Sequence, residues 1–427
     1  MKISFKNKIR MATAVALLTP SLAFATNGYF AHGWGMKSKA MAGAGIANPE
    51  DGLSAANNPA GMVHVGNRVD FGIDWFSPDR ESNITGTAGA VADQSLDGNG
   101  TDNFLIPEFG YNQMLDADRS IGVAVYGNGG MNTNYEGGVI LFNGGAGPNR
   151  TGVDLSQLFV APTYSMKINN AHSFGVSVNL AFQRFQAEGL QGFCNGSFSS
   201  NPTNCTNNGY STSTGYGLTL GWLGQLAPNF SMGATYRSQT YMSEFDEYAG
   251  LFAEQGDFDI PSMYGVGFKF TPSSDVTILF DYTHINYSDI ASIANPISNL
   301  TVGGNALGTD NGGGFGWKDM DVYKLAIAWK MRPDLVLRAG WNHGEQPIPT
   351  NETLFNVLAP ATVEDHLTLG ATWTLANKAE LTVAYMHAFE NTVNGSGSIP
   401  LGGGFPGGEA NIGMSQNSLG VAYGWKF

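Results

Sequence analysis

The residues that could do chemistry are few and scattered. His32, His64, His172, His284, His343, His366 and His387 show no metal-ligand spacing, so no metal site is expected. There is no G-x-S-x-G nucleophile motif and no phosphate-binding loop. One G-x-G-x-x-G stands at Gly402, Gly404 and Gly407, but Pro406 inside it spoils the strand-turn-helix that a dinucleotide needs, and it reads as loop. Cys194 and Cys205 are the only cysteines; close together in a polar stretch of an exported chain, they read as a disulfide. Neither an enzyme nor a cofactor is expected, although a Ser/His pair drawn from facing strands would leave no local motif.

Two groups remain. Strand alternation turns Asp70, Asp74, Arg237, Lys269, Asp281, Lys324 and Arg338 inward. Either these charges neutralise one another, or Arg237, Lys324 or Arg338 holds a ligand carboxylate. Phe245, Tyr248, Leu251 and Phe252 fall at i, i+3, i+6 and i+7, which predicts a short helix with one apolar face in 243–258. That face either packs on a neighbouring loop or is an exposed groove that first captures a hydrophobic ligand.

The positioning elements are strands. Only 13% of the 427 residues are charged, 12% are aromatic and 58 are Gly. That balance suits many short strands joined by tight turns, and does not suit a disordered chain. Lys2, Lys6, Lys8 and Arg10, then an apolar run from Met11 to Leu22 and Ala23-Phe24-Ala25, form a secretory leader over 1–25. Its removal takes four cations and no acid, moving the net charge from −14 to −18. No later stretch is apolar enough for a spanning helix. Alternation gives fourteen strands, near 67–77, 103–114, 119–128, 155–166, 172–187, 213–225, 230–242, 259–270, 275–286, 319–330, 334–343, 363–375, 379–389 and 416–427. In the last, Leu419, Val421, Tyr423, Trp425 and Phe427 oppose Gly420, Ala422, Gly424 and Lys426. Short and long connections alternate without exception, as in a transmembrane barrel with tight periplasmic turns and long outer loops. The expectation is an all-β, fourteen-stranded antiparallel barrel over 67–427 in a bacterial outer membrane. A lumen that wide needs filling, and the Gly/Ala-rich segment 26–66 is available as a plug.

Here a resemblance becomes specific. Asn27-Gly28-Tyr29-Phe30, the run Ala40-Met41-Ala42-Gly43-Ala44-Gly45 and Asn58-Pro59-Ala60 resemble the N-terminus of the FadL/TodX family of outer-membrane channels for hydrophobic compounds. The resemblance runs over the whole chain and implies an N-terminal hatch inside the barrel. On residues alone, Asn58-Pro59-Ala60 is a fixed turn, since Pro59 sets its own φ and disfavours helix at Asn58; the resemblance makes it part of the gate. Tyr126-Gly127-Asn128-Gly129-Gly130 ends the third strand with glycines that permit a bend. The resemblance implies an inward kink there that opens the wall beside the hatch; the plain alternative is a turn. It also gives the apolar face in 243–258 the family's capture role.

The implied function is passive, hatch-gated uptake of fatty acids or hydrocarbons, with lateral exit at the third strand. A general diffusion porin, a surface adhesin barrel and a barrel enzyme remain rivals. Expected partners are a hydrophobic ligand, outer-membrane lipid and lipopolysaccharide, and the assembly machinery reading the terminal Phe427. Nucleic acid is not expected, and a monomer is.

Overall fold

The computed structural model describes residues 26–89, 91–145 and 150–427; the expected leader lies outside them. Fourteen strands form one closed antiparallel barrel. They are β1 Arg68–Thr85, β2 Phe104–Met114, β3 Arg119–Glu136, β4 Arg150–Lys167, β5 His172–Glu188, β6 Ser211–Ala227 and β7 Phe230–Arg237, followed by β8 Met263–Ser273, β9 Val276–Ile285, β10 Met320–Arg332, β11 Leu335–Gly344, β12 Asp365–Thr374, β13 Glu380–Val393 and β14 Glu409–Lys426. Each pairs with its sequence neighbours, and β14 closes on β1 from Arg68↔Lys426 to Thr85↔Glu409. The sheet thus closes on itself, which is how a barrel satisfies its backbone in lipid. Phe427 seals the lower end: its N–H donates to Asn67 O (3.1 Å) and its ring stacks on Tyr111.

Several strands overrun their predicted ends, and the reason is instructive. Outward-facing Phe71, Ile73 and Trp75 of β1 are exposed as lipid-facing residues should be. Above them the same exposed positions become Asp79, Glu81 and Asn83, while Arg80, Ser82 and Ile84 stay buried. Apolar alternation therefore marks the membrane edge, and the strand continues beyond it. The same holds for β3, which reaches Glu136 instead of 128, and for β14, which begins at Glu409 instead of 416. Conversely, β7 stops at Arg237, short of 242, and β8 begins at Met263, not 259.

Residues 26–66 are inside. Almost every one is buried, in short helical turns at Met36–Lys39, Ser54–Asn57, Pro59–Gly61 and Met62–Val65. Their polar partners come from all round the wall. Glu108 of β2 accepts from Gly35 N (3.2 Å) and Met36 N (2.9 Å); Asp70 of β1 accepts from Gly52 N (2.8 Å); and Asp281 of β9 accepts from Gly45 N (2.7 Å) and Ile46 N (3.0 Å). Thr368 of β12 accepts from Ala42 N (2.8 Å). Ion pairs add Lys39–Asp74 (2.8 Å), Lys37–Glu380 (2.6 Å) and Arg338–Glu50 (2.8 Å). Buried pairs of this kind fix a docking geometry more than they stabilise, because desolvation offsets most of the attraction.

The outer connection between β5 and β6 carries the Cys194–Cys205 disulfide, with the two Cα atoms 5.6 Å apart. Denatured protein from an oxidising compartment should show no titratable thiol until reduced, and two afterwards. Two thiols before reduction would contradict the pairing.

Candidate functional site

The first part of the site is the turn at Asn58. Its backbone is extended (φ −158°, ψ 109°) and its side chain does three things. Oδ1 accepts from Ala60 N (3.0 Å), while Nδ2 donates to Ile46 O (2.8 Å) and to Trp222 O of β6 (2.9 Å). Ser165 of β4 and Ser173 of β5 both donate to Ala60 O, at 3.1 and 3.0 Å. The wall admits this turn only because it is bare there. A Cβ on Gly175 would lie 2.3 Å from the Pro59 carbonyl carbon, and one on Gly221 would lie 2.0 Å from Asn58 Oδ1.

The second part is a parting of the wall. β3 pairs with β2 only from Met114↔Ser120 to Phe109↔Val125, although β2 runs on to Phe104 along β1. From Tyr126 upward β3 turns into the lumen, and Tyr126 to Tyr135 are all buried. Its ladder to β4 continues to Glu136 with a bulge between Gly127 and Gly129. The edge that β3 withdraws from β2 is met by the plug. Gly130 N donates to Tyr29 O and Ala31 N donates to Asn128 O, each at 3.0 Å. Gly129 is required, since a Cβ there would sit 2.1 Å from Tyr29 O. Higher up, Asn134 N donates to Gly98 O and Gly100 N to Asn134 O, each at 3.0 Å, so the parting is a bounded window.

The three expected cations all have partners within the chain. Arg237 donates to Asn128 Oδ1 (2.7 Å), Ala56 O (3.0 Å) and the Tyr126 hydroxyl (3.2 Å). Lys324 donates to His32 O (3.0 Å) and Gly43 O (3.4 Å); Arg338 donates to Thr372 Oγ1 (2.7 Å) and Glu50. Each ties plug to wall. A small cavity of ≈ 20 Å³ lies between them, lined by Phe30, Trp34 and Ile46 of the plug and by Thr235, Met263 and Lys324 of the wall. It holds about one water, far less than a hydrophobic ligand.

The outer-loop residues correct an expectation. No amphipathic helix forms. The segment has a tight turn at Asp246–Tyr248 and another at Ala253–Gly256, where Glu254 and Gln255 are left-handed (φ 54° and 60°). Phe245, Tyr248 and Phe252 are buried and Leu251 is half-buried, so they present no open groove. They pack on Phe185, with ring centroids 5.7, 4.8 and 4.7 Å away for the three rings. Aromatic contacts then descend without a break: Phe252–Phe258 (4.8 Å), Phe258–Tyr29 (6.1 Å), Tyr29–Phe30 (5.2 Å). Tyr287 and Trp317, from a long loop, flank Tyr29 at 5.3 and 6.0 Å. Tyr29, Phe30, Trp34, Tyr287 and Trp317 were not foreseen as site residues. Only the opening Asn27-Gly28-Tyr29-Phe30 pointed toward any of them.

A family model described as outer membrane protein transport protein (OMPP1/FadL/TodX) matches residues 12–398. The chain belongs to the OMPP1/FadL/TodX family. Solved structures agree in fold. The P. putida toluene transporter TodX is 18% identical, with 93% of this chain and 99% of that one aligned at a TM-score of 0.66. A Pseudomonas aeruginosa FadL homologue is 13% identical, with 94% and 100% aligned at 0.70. The Ralstonia pickettii toluene transporter TbuX is 16% identical, with 93% and 99% aligned at 0.62. No curated protein matches the chain in sequence. As a FadL/TodX-family protein it is an outer-membrane barrel.

Two outcomes follow from this geometry. Asn58→Ala orphans Ile46 O, Trp222 O and Ala60 N, each costing about 1–3 kcal/mol if left dry. The plug should loosen, and planar-bilayer recordings should show frequent openings from a barrel that still assembles; wild-type conductance would contradict the role. Next to Phe258, burial and the neighbouring Asp259 carboxylate push Asp257 up to about 7. A raised folded pKa means the loop favours protonated Asp257, so its stabilisation is full below the ordinary carboxylate pKa and is lost as pH rises through 7. Amides in 243–262 should therefore exchange faster at pH 8 than at pH 5 after correction for intrinsic rates, and equal protection would contradict this.

Proposed function

We propose that this FadL/TodX-family barrel takes up hydrophobic small molecules passively, with residues 26–66 as the hatch and the window between β2 and β3 as a sideways exit into the membrane. One observation carries the reading. Above Val125, β3 abandons β2, and the exposed backbone is capped by the hatch's Tyr29–Ala31 rather than by another strand. A hatch that serves as a movable partner for an open wall can gate that wall.

Chemistry favours the sideways route. Moving each buried CH₂ into water costs about 0.8 kcal/mol, so a twelve-carbon tail would meet a barrier on the order of 10 kcal/mol at an aqueous exit. Leaving into lipid avoids most of it. The route in is the aromatic descent from Phe245, Tyr248 and Phe252 through Phe258 to Tyr29, so capture by these residues requires the outer loop to part first. The cations Arg237, Lys324 and Arg338 hold the hatch in the closed state, and a ligand carboxylate would have to compete with those bonds. A general diffusion porin fits poorly with a lumen filled by residues 26–66, almost all of them buried. The remaining parts of the reading are a cleaved leader over 1–25, a monomeric barrel over 67–427, contact with lipopolysaccharide, and recognition of Phe427 during assembly.

The exit can be tested by closing the wall. Had the β2–β3 ladder continued in the register Phe109↔Val125, Pro107 would face Gly127. The pair Pro107→Cys and Gly127→Cys, oxidised and verified by mass, should abolish hydrocarbon uptake into cells and recover it on reduction. Uptake at the full rate through the cross-linked barrel would send the ligand out through the periplasmic end instead.

A further inference from the structure

Arg237 is more than a strut. It is 2% exposed, and among the described residues no carboxylate pairs with it. Nη1 and Nη2 of the guanidinium donate to Asn128 and Tyr126 of the kink and to Ala56 O of the hatch, while Nε has no hydrogen-bond partner. Its faces are covered by rings instead: Trp34 at 4.5 Å, Phe159 at 5.3 Å and Tyr126 at 5.8 Å. In a dry site, a desolvated guanidinium is held more strongly over a ring than it would be in water. The indole of Trp34 is the best of these partners in kind, and it is the one that belongs to the hatch. It is also incompletely satisfied, because Trp34 Nε1 has no hydrogen-bond partner.

Trp34 also lines the small cavity, together with Phe30, Thr235 and Met263. Thr235 shares the inner face of β7 with Arg237, and Met263 stands opposite Arg237 across the ladder. The aromatic descent from the outer loop ends at Phe30, on the same cavity. Gly33 and Gly35 flank Trp34, with Gly35 left-handed at φ 85°. Five residues before Trp34 begins the strip Tyr29–Ala31 that caps the window.

We propose that the face of Arg237 covered by Trp34 is a binding site for the ring of a neutral aromatic ligand, and that exchanging one ring for the other frees Tyr29–Ala31 from the window. The exchange leaves the in-plane bonds of Arg237 intact, so the kink and the helix at Ser54–Asn57 stay in place while the capping strip departs. A carboxylate, by contrast, could grip the guanidinium at two points only by displacing Asn128, Tyr126 or Ala56 from Nη1 or Nη2. This rests on the uptake reading and names the ligand chemistry that trips the gate.

The test compares toluene with methylcyclohexane, similar in size but without a π face, on the full-length barrel in lipid nanodiscs, by equilibrium headspace partition. Wild type should prefer toluene by about tenfold, the ratio that a desolvated cation–π contact of about 1.4 kcal/mol gives. Arg237→Met should bring the ratio close to one. Trp34→Leu, which leaves the wall intact, should raise toluene affinity several-fold by removing the competing ring, and methylcyclohexane affinity less. Equal binding of the two hydrocarbons by wild type, an unchanged ratio in Arg237→Met, or no gain for toluene in Trp34→Leu would each overturn the site. If Arg237→Met does not assemble, Trp34→Leu alone decides. Dodecanoate binding that falls in Arg237→Met while toluene binding does not would make Arg237 a carboxylate site and overturn the ring exchange. A barrel that binds none of the three would fail the uptake reading itself.

Discussion

Backbone amides and carbonyls in hydrocarbon must find partners within the protein, and the rest of this molecule is arranged around one place where they do not find them in the sheet. β2 and β3 part above Phe109↔Val125. The withdrawn edge of β3 is satisfied by Tyr29 and Ala31, so the hatch completes the wall as well as filling the lumen. The bulge at Gly127–Gly129 lets β3 lean inward without losing β4. The loop at Gly98–Gly100 takes up the ladder again at Asn134. A break bounded above and below, with its partner on a separate segment, costs little when closed and can open without unravelling the barrel.

The hatch is held in a manner suited to that task. Its backbone N–H groups point at wall carboxylates Asp70, Glu108 and Asp281, and its carbonyls receive Arg237, Lys324 and Asn58. Apolar packing joins Tyr29, Phe30, Trp34, Leu53 and Met62 to the main buried cluster of wall and loops, and sets Met36 and Ala40 against Ala384. The polar part of the joint is specific in position yet adds modest net stability, because each charge gives up water to dock. The glycines of the inner wall, Gly175 and Gly221 above all, are the complement: they remove side chains where the hatch backbone must approach.

Much of this was legible in the sequence, and the failures have physical causes. Lipid imposes a strict two-residue alternation, so the fourteen strands, their inward charges and the short lower turns could be read directly. Above the membrane, water lies outside the wall and Asp79 or Glu81 replace the apolar positions, so strand ends there could not be. Spacing at i, i+3, i+6 and i+7 predicted a helix that does not form, because the burial of Phe245, Tyr248 and Phe252 on Phe185 depends on a strand distant in sequence. The same is true of Arg237. Its inward direction was evident, but its company of Asn128, Ala56 and Trp34 comes from three separate parts of the chain.

The central claim is that the hatch strip at Tyr29–Ala31 is a removable partner of the kinked strand. Residue-resolved hydrogen exchange on the barrel in nanodiscs, with and without saturating hydrocarbon, addresses it most directly. The amides of Gly130 and Ala31, which donate to Tyr29 and Asn128 respectively across the joint, should lose protection when ligand is bound, while those of Ile121 to Val125 in the intact ladder should not change. Full protection of Gly130 and Ala31 in a barrel that is carrying ligand would contradict the account.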